Sequence, residues 1–194
     1  MTSRDIILAA VQNNQPLLMP LPGSTIVDSM PVNVLDTFKR VLQSIGGSVV
    51  ETASLADIND YVAQNFSDCE RIFSTIREVA ARPPLSPALE GHLLRDVDLA
   101  VMHGHFGVAE NGAVWITEEL MGDRALPFIC QHLAVVIATS TLVPTMQEAY
   151  QQIGSGVTGF GTFIAGPSKT ADIEQSLVLG AHGPKTMTVF LLPQ

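Results

Sequence analysis

The sequence predicts an α/β fold: a single three-layer domain with a central, mostly parallel sheet. Two observations carry that expectation. Segments with apolar residues at helical spacing alternate with short β-branched runs, the order that puts crossover helices between parallel strands. The composition, 46% hydrophobic and 15% charged over 194 residues, supplies the apolar surface for one substantial core.

Each element has its own warrant. Ile6, Ile7, Ala10 and Val11 recur at helical spacing, so residues 3–14 predict an amphipathic helix. Pro16, Pro20, Pro22 and Pro31 then bar helix propagation, which divides the chain into an N-terminal helix with a Pro-rich arm, residues 1–31, and an α/β domain, residues 32–194. The pattern Val34/Leu35, Phe38, Val41/Leu42, Ile45 predicts a second helix, closed by Gly46-Gly47 where a left-handed cap is expected. Ser48 to Glu51 is a short strand, Leu55 to Phe66 a third helix and Arg71 to Ser74 another strand. Asp98 to Phe106 and Ala113 to Thr117 are strands flanking a turn at Val108–Gly112. Val135 to Ala138 precedes a helix over Pro144 to Ile153, Thr162 to Ala165 leads into a glycine motif, and Met187 to Leu192 is the last strand.

Charge and cysteine usage exclude several classes. A formal charge of −9 with no clustered cations argues against a nucleic-acid partner. Cys69 and Cys130 fit no metal-ligand spacing, so neither zinc nor an iron–sulfur cluster is encoded, and no flavin motif or GxGxxG is present. No cofactor and no metal are therefore expected. No run approaches the ~18 apolar residues of a membrane span, and the N-terminal apolar run has no cleavage site, which points to the cytoplasm and away from a membrane partner.

The densest chemistry lies in Gly166-Pro167-Ser168-Lys169-Thr170-Ala171-Asp172-Ile173-Glu174 and in His182-Gly183-Pro184-Lys185. A short helix between these loops would offer unpartnered N–H groups at Ser168 to Ala171 to a phosphate, carboxylate or sulfate, with Lys169 adding a full charge. Asp172 and Glu174 in its first turn favour the dipole yet repel an anion, so Thr170 acting as a plain cap is the competing reading. After Asp96 the only basic residues are Arg124, Lys169 and Lys185.

The stretch GPSKTADIEQSLVLGAHGPKTMTVFLL resembles the C-terminal signature of the LUD-domain family, of the lactate utilization protein C type. The resemblance extends upstream through GVAENGAVWIT, the Arg124–Pro127 segment and LVPTMQEAY, covering residues 95–194 well and the N-terminal half loosely. It implies a fold related to the coenzyme A transferase and ribose-5-phosphate isomerase group, and a role in bacterial lactate oxidation beside separate iron–sulfur subunits.

Individual residues suggest roles. Glu110 stands at a turn before Asn111 and Gly112, where a carboxylate in a site of low polarity would serve as base or nucleophile, the competing reading being a plain hairpin turn with an exposed Glu. AENG is also similar to the Ser-Glu-Asn-Gly motif of coenzyme A transferases, whose Glu forms a thioester, with Ala109 replacing the Ser. His182 is a candidate acid, base or donor, or a cap of the preceding helix. Arg124 is placed to clamp a substrate carboxylate or to pair with Asp123. His103 and His105, on one strand, would face the same side as a polar cleft wall, while Thr141 and Thr145 read as caps and Phe106 and Trp115 as core.

The candidate catalytic groups are thus Glu110, His182 and Asp172, and the candidate anion-binding set is Gly166, Ser168, Lys169, Thr170, Arg124 and Gly183. Three functions compete. They are a supporting protein of lactate oxidation, an enzyme on an anionic small molecule using Glu110, and an assembly module; a second copy of the chain is a further candidate partner.

Overall fold

Phe38 and Leu42 lie on one stripe of an 11-residue helix, α2 (Val34–Ser44), and both are fully buried. Removing each side chain from water stabilises the fold by about 1.5–3 kcal/mol. Asn33 starts this helix by accepting from the Asp36 amide, and the left-handed Gly46 (φ 89°) ends it, as the Gly-Gly pair foretold. The structure is a computed structural model and describes residues 2–17, 19, 33–79, 91–154, 159–170 and 178–193.

In chain order the remaining elements are α1 (Ser3–Asn13), β1 (Ser48–Glu51), α3 (Leu55–Asn65), β2 (Ile72–Ser74), β3 (Leu99–His103), β4 (Phe106–Val108) and β5 (Ala113–Thr117), then α4 (Glu118–Met121), α5 (Leu126–Ile129), β6 (His132–Ala138), α6 (Met146–Ile153), β7 (Gly161–Ile164), β8 (Lys169–Thr170), β9 (Val178–Leu179) and β10 (Thr186–Leu192). Single turns of 3-10 helix occupy Gly91–Leu94 and Thr139–Thr141. No helix among the described residues is long and apolar enough to cross a membrane.

The central sheet has the order β1-β10-β6-β3-β2, with every pairing parallel. Its strands are apolar on both faces, as a parallel sheet covered on both sides requires. Ala100, Met102, Leu133, Val135, Val189 and Leu191 face one core, shared with Phe38 and Leu42 of α2, Met121 of α4 and Leu126 of α5. Their neighbours Leu99, Val101, Ala134, Val136 and Phe190 face a second core with Ile58 and Val62 of α3. The three-layer α/β arrangement expected from the sequence is therefore present.

A second sheet was not foreseen. β4, β5 and β7 form an antiparallel sheet that turns Val114 and Ile116 toward the first core and Phe106, Trp115 and Phe163 outward beneath α6. The expected strand Asp98–Phe106 is in fact two. Gly104 donates to Val136 of the parallel sheet, whereas His105 donates to Trp115 of the antiparallel one, so the chain changes sheets between them. A β-carbon on Gly104 would come within 2.5 Å of a Val114 methyl, which explains why glycine occupies the crossing.

Helix α1 carries a full capping box between Thr2 and Asp5 and contributes no buried residue. The Pro-rich arm that follows lies mostly outside the described residues.

Candidate functional site

The two glycine loops, expected from the sequence to bracket a short helix, meet each other in the structure. The Ser168 amide donates to the Pro184 carbonyl (2.9 Å), the Gly180 amide donates to the Ser168 carbonyl (3.0 Å), and a β-carbon on Gly183 would touch Ser168 at 3.1 Å. Lys169 and Thr170 then run as β8, antiparallel to β9. The helix start expected at Ser168 to Ala171 is corrected over its described part: the Ser168 amide bonds to Pro184 and Lys169 and Thr170 form a strand, and strand dipoles do not sum toward one end. Residues 171–177, with Asp172, lie outside the described residues. His182 is exposed, and the described residues just before it form β9 rather than the end of a helix.

Gly166 is buried against α2, where a β-carbon would meet the Ile45 carbonyl at 3.1 Å. The Lys169 ammonium lies beside Gly46, 3.6 Å from where a β-carbon there would sit, and so places its charge at the negative end of α2. The Glu110 hairpin reaches the same helix: a β-carbon on Gly112 would lie 2.9 Å from the Leu42 α-carbon. Both motifs thus abut the last turn of α2.

Glu110 is exposed rather than set in low polarity, and its Oε2 accepts from the Met146 amide at 2.8 Å. With Thr145, which accepts from Glu148 at 3.3 Å, it caps α6. Arg124 pairs with Glu118, not Asp123: its Nε donates to Glu118 Oε2 at 2.5 Å, and its guanidinium lies 5.7 Å from the Phe160 ring centre. Glu118 Oε1 also accepts from the Phe160 amide at 3.1 Å, and these two bonds, the backbone one foremost, hold its carboxyl below the usual carboxylate range. Asp123 instead accepts from the Ala125 amide at 2.7 Å.

A cavity of about 230 Å³ lies at the end of the β4–β5 hairpin and of α6 away from Glu110, lined by His105, Phe106, Trp115, Thr117, Gln152 and Ile153. Phe106, Trp115 and Thr117 belong to the two strands of the Glu110 hairpin, but none of the lining residues belongs to its turn at 109–112 or to either glycine loop. Its position follows from the topology. β3 ends at His103, and β5 ends at Thr117 beside α4, whose Leu120 carbonyl accepts from Thr75 just beyond β2. The cavity therefore lies on the outer face of the antiparallel sheet beneath the end of α6, with His105 two residues beyond the end of β3. His105 Nε2 and Thr117 Oγ1 are 2.8 Å apart, a hydrogen bond whose direction depends on the ring tautomer.

Of the sequence candidates only His105, named as a cleft wall, belongs to this cavity; His103 ends the preceding strand and does not share its lining. Phe106 is buried as expected, while Trp115 is half-buried, packs against Phe163 with ring centres 4.6 Å apart and also walls the cavity. Thr117 and Gln152 escaped the sequence reading. The signal for Thr117 was its place two residues after Trp115, on the same strand face. Among the described residues no group of three or more His, Cys, Asp and Glu side chains is gathered to hold a metal ion.

A parallel five-stranded sheet flanked by helices, with a second antiparallel sheet beside it, defines a mixed α/β protein. The chain belongs to the LUD-domain family, whose model matches residues 91–192, just over half of its length. Lactate utilization protein C of Geobacillus sp. (strain WCH70) is 26% identical over 98% of this chain and 79% of its own. Lactate utilization protein C of Anoxybacillus flavithermus is 25% identical over 87% of this chain and 74% of its own, and that of Bacillus pumilus is 36% identical over 48% and 41%. The crystal structure of a DUF162 family protein from Deinococcus radiodurans superposes with a TM-score of 0.61 at 18% identity, covering 82% of this chain and 96% of that one, and shows a shared fold.

Proposed function

We propose that this protein serves bacterial lactate utilization as a cytoplasmic, substrate-handling component that works beside separate iron–sulfur subunits. The observation that carries the reading is the alignment over 98% of the chain with a protein named for lactate utilization, together with the family match. Chemistry supports the division of labour. An iron–sulfur cluster is held by four cysteine thiolates, and this chain has two cysteines, of which Cys130 is buried. Electron transfer therefore falls to partners, and the role left to this chain is to bind or present a small anionic molecule.

The test is genetic and biochemical. Deleting the gene should abolish growth on L-lactate as sole carbon source while leaving growth on glucose intact, and a plasmid copy should restore it. A tagged copy isolated from lactate-grown cells should bring down iron-containing subunits. Unimpaired growth of the deletion strain on lactate would overturn the reading.

A further inference from the structure

The cavity beneath the end of α6 is lined by three hydrogen-bonding groups, His105, Thr117 and Gln152, and by the apolar Phe106, Trp115 and Ile153. At about 230 Å³ it is smaller than the ~300–1,000 Å³ pockets that take drug-sized ligands, so its guest has few heavy atoms. The His105–Thr117 bond sets what that guest sees. If the imidazole N–H donates to Thr117, the hydroxyl proton turns outward as a donor; if the hydroxyl donates to the ring, its oxygen remains an acceptor. One pair thus serves both a carboxylate and a hydroxyl.

The charge next to the cavity is arranged for an anion. Glu118 directly follows Thr117, and an unpaired carboxylate there would repel an acid. Arg124 pairs with it through Nε and Nη2, and the Phe160 amide binds its other oxygen. The local acid is thereby neutralised even though the chain carries a net charge of −9.

We infer that this cleft binds a short-chain 2-hydroxy- or 2-oxocarboxylate, its carboxylate and 2-oxygen on the His105–Thr117–Gln152 side and its alkyl end against Trp115, Phe106 and Ile153. The choice of ligand class rests on the lactate reading above; the site itself rests on the cleft.

Trp115 is the only tryptophan in the chain and lines the cleft, so its fluorescence reports occupancy directly. The purified protein is titrated with L-lactate, pyruvate and propionate, the last lacking the 2-oxygen. A saturable fluorescence change with lactate or pyruvate is expected, with propionate bound about tenfold more weakly. Tighter lactate binding assigns a hydroxy acid and tighter pyruvate binding an oxo acid. Thr117→Val, nearly isosteric, should raise the Kd about tenfold, and His105→Gln, which keeps a polar group, should raise it less; thermal unfolding confirms that each variant is folded. No saturable change with any acid, equal binding of propionate, or unaltered affinity in folded Thr117→Val would overturn the inference. Because growth on lactate is scored separately, an empty cleft in a protein still needed for that growth sinks the site and spares the function. A filled cleft in a dispensable protein does the reverse.

Discussion

The Glu110 carboxylate and the Met146 amide, 36 residues apart in sequence, are joined by a 2.8 Å hydrogen bond that ties the β4–β5 hairpin to the start of α6. The Glu110 amide donates in turn to the Pro144 carbonyl at 3.0 Å, so the contact is two-way. A helix N-terminus leaves its first N–H groups without partners, and an acid there satisfies one of them and complements the dipole.

From that contact follows a ranking. Glu110→Ala should lower stability by about 1 kcal/mol, and Glu110→Gln, which retains an acceptor but not the charge, should lower it less. Urea denaturation midpoints measure both. Equal midpoints for wild type and Ala would show that the cap contributes nothing.

Gly112 tests how closely the hairpin approaches α2. Its φ is 70°, and an added β-carbon would sit 2.9 Å from the Leu42 α-carbon and 3.0 Å from the Leu42 nitrogen, both backbone atoms that cannot rotate aside. Gly154 has a similar φ of 65° with nothing within 4 Å. Gly154→Ala, at φ 65° and ψ −167° in a region essentially reserved for glycine, should cost about 1–3 kcal/mol for backbone strain alone, and Gly112→Ala should add to its strain the cost of displacing the Leu42 backbone. Thermal unfolding of the pair separates strain from collision, and equal losses would refute the close approach.

His132, half-buried at the start of β6, has its pKa pushed below the ordinary 6.5, chiefly by burial and next by the charge of Lys185, against a smaller opposing pull from Asp98. Its folded form takes up a proton less readily than the unfolded chain does. The associated stability is present above pH 6.5 and is lost as the pH falls from there through the depressed folded value. His132→Gln should flatten that part of the pH dependence. Stability curves of identical slope in the two proteins would rule it out.

Cys130 is buried, and desolvation pushes its thiol up to about 12, while Cys69 is also raised, first by burial and then by Asp98 and Asp68. Thiolate is the reactive form, so iodoacetamide near neutral pH should modify Cys130 only after unfolding and Cys69 slowly before it. Mass spectrometry of native and urea-treated protein follows the two sites. Rapid labelling of native Cys130 would contradict its burial.

How much of this was legible depended on period and distance. α2, β1, α3 and β10 could be read because an apolar stripe or a β-branched run of sufficient length repeats at one spacing. β8 and β9 could not, since two residues per strand set no period and the Gly-Pro-Ser start mimics a helix cap. The run through Met102 to Phe106 reads as one strand because Gly104 is silent in a hydropathy pattern; its reason appears only against Val114 and Val135. The glycine loops stood out by their composition, but that they hydrogen-bond to each other was not legible. The cleft was not found, because Thr117 and Gln152 are ordinary surface polar residues until folding sets them beside His105.

Strand β10 lies between β1 and β6 in the central sheet, paired with both. Neither neighbour bonds to the other, so the middle of the sheet stays open until residues 186–192 have left the ribosome. Productive folding of the central sheet is consequently held back until that strand emerges, and a nascent chain arrested earlier presents two unsatisfied strand edges to chaperones and to its neighbours.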